Sequence, residues 1–88
     1  MIEITKYSNR RLYGPNPDAK SRRKKMYLGL GDVARLVRAG EQIAVYEYGN
    51  GKGRGANITD EILLDVLKTQ HIRAPALSTT ELLDLIRR

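Results

Sequence analysis

The sequence predicts a small α+β domain, a short antiparallel sheet with two to three short helices. Three observations carry this. Strand-like alternation falls near residues 2–7, 11–13, 26–28 and 43–48. Apolar residues recur at three- and four-residue spacing near 30–39, 59–70 and 79–87. The length, 88 residues, suits one domain. A domain this small buries only about 60–65% of the surface its unfolded chain exposes, so its core is thin and self-association would strengthen it.

Ile2, Ile4 and the branched Thr5 alternate with polar residues and start the first strand. Gly14-Pro15-Asn16-Pro17-Asp18 are strong turn formers, and two prolines so close exclude a regular helix there. Met26-Tyr27-Leu28 resumes as an apolar segment, which makes Tyr13 and Tyr27 candidates for the two sides of a wide hairpin with a basic tip. Leu30, Val33, Leu36 and Val37 form one helical stripe, closed by Gly40 and poorly capped at Gly29 or Gly31. Ile43 to Tyr48 is the best strand, with Tyr46 and Tyr48 on one face and Ile43, Val45 and Glu47 on the other. The glycine-alternating stretch from Gly49 to Gly55 reads as a flexible basic turn in which Lys52 and Arg54 offer auxiliary phosphate contacts. Thr59 is the expected N-cap of the next helix, with Ile58 and Leu63 as its hydrophobic staple. Ser78-Thr79-Thr80-Glu81 is a capping box for a leucine-rich last helix. Residues 1–70 read as the main body, and 71–88 as a linker and docking helix of the same unit.

Several function classes lose their chemistry. With no cysteine there is no disulfide, thiolate metal site or cysteine nucleophile. The single histidine, His71, has no partners spaced for a triad or a metal site. The acidic residues sit as helix caps and on helix surfaces. No cofactor motif is present, since the stretch from Gly49 to Gly55 lacks the closing Lys-Ser/Thr of a phosphate loop. The expectation is therefore a protein that is not an enzyme and needs no cofactor. No apolar run approaches the roughly 20 residues of a membrane span, which with the absent cysteine suits a cytoplasmic protein.

Charge is segregated. Residues 1–27 carry eight basic and two acidic side chains, and residues 28–88 carry eight of each, so the whole net charge of +6 lies in the first third. Such a field attracts a polyanion through counterion release. Within it, Lys6-Tyr7-Ser8-Asn9-Arg10-Arg11-Leu12-Tyr13 mixes arginine forks for phosphate or guanine, an asparagine able to bond adenine, and tyrosines with an apolar body and a polar tip. Lys20, Arg22, Arg23, Lys24 and Lys25 add a second basic tract. Composition and spacing point to nucleic acid without choosing DNA over RNA.

The same eight residues resemble the Lys-Tyr-x-Asn-Arg-Arg-Leu-Tyr signature that opens the DNA-binding domain of bacterial polyhydroxyalkanoate (polyhydroxybutyrate) synthesis regulators. The stretch from Tyr27 to Val33, the run Val37-Arg38-Ala39-Gly40-Glu41, and Ile58-Thr59 with the apolar helix after it are similar to later parts of that domain. The resemblance covers about residues 4–67. It departs at Gly14-Pro15, at the enlarged basic loop and at Gly29. It implies a transcription regulator, a repressor of storage-polymer and granule-protein genes. Double-stranded DNA is the implied partner, and the polymer itself a further one. Lys6, Asn9, Arg10 and Arg11 are the implied DNA contacts, with Tyr7 and Tyr13 in support. A homodimer or higher homo-oligomer at the nucleoid is expected. The alternatives are a non-specific nucleic-acid-binding module and a protein-interaction adaptor that works through the leucine-rich C-terminal helix.

Overall fold

A computed structural model of the chain describes residues 1–49, 51, 53–73 and 76–88. The elements run β1 (Ile2–Lys6), β2 (Leu12–Pro15), β3 (Lys25–Leu28), α1 (Leu30–Arg38), β4 (Ile43–Tyr48), β5 (Arg54–Asn57), α2 (Thr59–Thr69) and α3 (Thr79–Arg87). The five strands form one sheet in the order β3-β2-β1-β4-β5. This is the expected α+β architecture, and all three helices fall within a residue of their predicted bounds.

The sheet is mixed where an antiparallel one was expected. β1 and β4 pair in parallel, Ile4 opposite Val45, while the other three pairings are antiparallel. Parallel neighbours need a crossover. Here the chain completes the β2–β3 hairpin and α1 before it returns beside β1. β5 carries no apolar alternation and was not expected: its Arg54 and Gly55 fall in the expected flexible turn, while Ala56 and Asn57 carry no sequence signal. It pairs antiparallel with β4, Asn57 opposite Tyr46 and Arg54 opposite Tyr48, and becomes the sheet edge. Gly55 permits this: a Cβ there would come within 2.7 Å of the Glu47 carbonyl oxygen. Of the expected turn, Asn50 and Lys52 lie outside the described residues.

Alternation along the strands gives the sheet two unlike faces. One carries Ile4, Leu12, Leu28, Ile43 and Val45, which join buried residues of all three helices in a single core. Gly14 belongs to this face. With Pro15 it was expected in a turn, yet both residues lie in β2. A Cβ on Gly14 would meet Ile4 Cγ1 at 3.0 Å and Leu28 Cδ1 at 3.2 Å, so the core claims the space that a side chain would occupy. The turn itself starts at Asn16.

The helix ends follow local chemistry. The α3 capping box forms as expected: Glu81 N–H donates to Ser78 Oγ, and Ser78 N–H to Glu81 Oε1. Thr59, the expected cap of α2, is instead its first residue and is buried. Its hydroxyl accepts the Val45 N–H at 2.9 Å, and Asn57 Oδ1 accepts the Thr59 N–H. Just beyond β5, Ile58 N–H donates to Val45 O and the Thr59 hydroxyl accepts the Val45 N–H, so side chain and backbone together extend the edge pairing. α1 and α2 both close with paired reverse bonds. Gly40 N–H donates to Val37 O and Glu41 N–H to Leu36 O; His71 N–H donates to Lys68 O and Ile72 N–H to Leu67 O.

His71 thus has a structural place at a left-handed position, with φ of 58°. A β-carbon there costs about 1–2 kcal/mol, and glycine's extra freedom in the unfolded chain returns part of it. His71→Gly is expected to raise stability by about 0.5–1 kcal/mol in urea unfolding. An unchanged or lowered midpoint would contradict the capping role.

Candidate nucleic-acid interface

The polar and cationic residues of the first motif converge on one hairpin turn. Tyr7 N–H donates to Arg11 O, and Arg10 N–H to Tyr7 O, so Ser8, Asn9 and Arg10 form a three-residue loop between β1 and β2. Arg11 N–H donates to Asn9 Oδ1 at 3.0 Å. Asn9 therefore spends its carbonyl on the turn, which leaves its amide N–H groups for any ligand. Arg10 takes the left-handed position of this loop, φ 66°, where glycine is the ordinary choice. An arginine held there carries a conformational cost of about 1 kcal/mol or more, and such outliers cluster at functional positions.

Lys6 lies at the end of β1, in register with Leu12 on one side and Glu47 on the other, on the helix-bearing face. Grooves run along both sides of the turn. One, of about 300 Å³, lies between Lys6, Arg10 and the β4 end at Glu47 and Tyr48. The other, of about 330 Å³, lies between Lys6, Arg10 and Arg11 and the start of α1 at Gly29 and Leu30. Lys6 and Arg10 line both, so the motif's cations are brought together as the sequence suggested.

The second basic tract does not join them. Lys20, Arg22, Arg23 and Lys24 sit in the β2–β3 connection, which leaves the opposite end of β2 from the β1–β2 turn. The two basic tracts of the sequence form two clusters separated by the length of a strand. The connection is built from side-chain turns: Asp18 N–H donates to Asn16 Oδ1, Lys20 N–H to Asp18 Oδ1, and Arg23 N–H to Ser21 Oγ. Asn16 Nδ2 reaches across to Arg23 O. These bonds leave the four cationic side chains exposed. Lys25 starts β3 and shares a face with Tyr27.

Between the two clusters lies the sheet face that no helix covers. Tyr13 and Tyr27 stand opposite each other, as the hairpin reading required, with ring centroids 5.3 Å apart. Tyr7 lies 6.2 Å from Tyr13 and 5.2 Å from Tyr48. The Arg11 guanidinium lies over the Tyr27 ring at 5.3 Å. Tyr46 is on the same face, under the Arg54 guanidinium at 4.6 Å. Arg54 also pairs with Glu3, so this expected auxiliary cation is already engaged. Tyr27 and Tyr48, which the sequence did not single out as contacts, are brought into this group of rings. The alternation placing Tyr46 with Tyr48 was visible, but the β1–β4 pairing that sets them beside Tyr7 was not.

Two basic clusters flanking an uncovered sheet face that carries exposed tyrosines make a surface suited to a polyanion. A family model described as the PHB/PHA accumulation regulator DNA-binding domain matches residues 3–73. The chain belongs to that family and is a DNA-binding domain of such a regulator. Neither the curated proteins nor the solved structures gave a significant match. No helix among the described residues is long and apolar enough to cross a membrane, and none of their His, Asp and Glu side chains group to hold a metal ion.

Proposed function

We propose that the domain binds double-stranded DNA as the reading unit of a transcriptional repressor, and acts by binding rather than by catalysis. Arg10 is the observation that carries this. A turn that would be more stable with glycine holds an arginine at its tip, beside Lys6 and Arg11. Arg10 and Arg11 contact base edges or the phosphates next to them, with Asn9 Nδ2 and Lys6 in support. Lys20, Arg22, Arg23, Lys24 and Lys25 bind phosphates further along the duplex and raise affinity for any sequence. Tyr7 and Tyr13 support the turn. The family description supports genes of polymer accumulation as the regulated set; the polymer as effector and a place at the cytoplasmic nucleoid are part of the same proposal.

The adaptor alternative is disfavoured, because Leu82, Leu83 and Ile86 of α3 are buried in the domain's own core. Selection of genomic fragments by the purified protein at near-physiological salt tests the proposal, with its mass in solution measured alongside to test the homo-oligomer. Enrichment of a shared sequence, bound at least about 10³-fold more tightly than unrelated duplex, is expected. Equal binding to all fragments would leave only a non-specific module.

A further inference from the structure

We infer that the uncovered sheet face is a stacking platform for unpaired bases, so that the domain binds single-stranded DNA as well as duplex. The inference rests on the DNA-binding reading and extends it to a second form of the ligand. All five tyrosines of the chain lie on this face, and the chain has no tryptophan or phenylalanine. The open face of a sheet is ordinarily polar. Here Tyr27 and Tyr48 stay 51% and 49% exposed at the two ends of a continuous ring track, Tyr48 to Tyr7 to Tyr13 to Tyr27, which crosses β4, the end of β1, β2 and β3. Centroid gaps of 5.2–6.2 Å fall within the range of attractive aromatic pairs, so each ring fixes its neighbour before any ligand arrives.

Charge selects the occupant. Arg11 and Lys25 lie on this face, and its carboxylate, Glu3, is taken up by Arg54. A cationic rim around exposed rings suits a chain of phosphates carrying flat, sequence-tolerant bases. In a duplex those base faces are stacked away, whereas in a single strand they are free to lie on the rings. The two basic clusters at the ends of β2 would receive the strand as it enters and leaves the track.

The test uses the whole chain and three probes: an oligothymidylate of about a dozen nucleotides, an abasic deoxyribose-phosphate oligomer of equal length, and a selected duplex. Because there is no tryptophan, intrinsic fluorescence reports these tyrosines alone. The oligothymidylate is expected to quench it and to bind at least about tenfold more tightly than the abasic oligomer. The pair Tyr27→Leu with Tyr48→Leu should lose about tenfold or more of that affinity, while Tyr27→Phe with Tyr48→Phe keeps it. Circular dichroism confirms that each variant folds. Equal binding of thymidylate and abasic oligomers, or full affinity in the leucine pair, would overturn the inference. So would self-association through these tyrosines without thymidylate binding. Duplex bound without thymidylate sinks this inference alone; neither bound sinks the DNA-binding reading with it.

Discussion

Removal of residues 77–88 is expected to abolish cooperative folding. The family match ends at residue 73, before α3 begins. Yet α3 places Leu82, Leu83 and Ile86 in the common core, and Leu77 and Leu85 pack against that core. Burying one Leu or Ile side chain is worth about 1.5–3 kcal/mol, so three contribute on the order of 4.5–9 kcal/mol, an upper figure because unfolded chains are themselves partly compact. Total stabilities of small domains are of the same size, about 5–15 kcal/mol. Polar bonds add to the docking: Arg87 donates to the carbonyls of Val37 and Glu41, and Arg38 donates to that of Ile86. Urea unfolding followed by circular dichroism should show no cooperative transition in the truncated chain. Leu82→Ala should lower stability by about 2–5 kcal/mol. A truncated chain within about 1 kcal/mol of the intact one would show that α3 is a separate appendage.

Arg10→Ala combined with Arg11→Ala is expected to weaken binding to a selected duplex by about 30-fold or more, with the fold intact. Each exposed arginine that neutralises a phosphate contributes about 0.9 to the slope of log K against log salt, so the double variant should lose close to two from that slope. Neither side chain is part of the core, and the turn's backbone bonds do not require them. Arg10→Gly separates the two properties of this position. It relieves the left-handed strain, so stability should rise slightly while affinity falls. A variant that binds as well as the parent would place Arg10 outside the interface, and one that unfolds would make it a structural residue. Lys20→Ala and Lys24→Ala should instead weaken specific and non-specific duplexes alike, since phosphate contacts carry no sequence information.

The helices were legible because their signals are local. The capping box at Ser78, the stripe from Leu30 to Val37 and Gly40 each act within a turn or two of the chain. The strand partners were not, because pairing is a long-range choice. Nothing in Ile2–Lys6 states that it will lie parallel to Ile43–Tyr48, and nothing in Arg54–Asn57 looks like a strand until β4 offers an edge. Thr59 shows the same competition at one residue: its sequence context suits a helix cap, but the Val45 N–H claimed its hydroxyl. The candidate site divides in the same way. Lys6, Arg10 and Arg11 share a turn and were legible as a unit. The Tyr13–Tyr27 hairpin pair was legible too, but the placing of Tyr48 beside Tyr7 follows only from the β1–β4 pairing.

Amide chemical-shift mapping of the intact chain with a selected duplex measures the location of the interface directly. The largest changes are expected at Tyr7–Tyr13 and along residues 20–28, with the outward faces of α2 and α3 unchanged. Changes concentrated on α2 and α3, with the β1–β2 turn silent, would contradict the assignment of DNA binding to these two basic clusters.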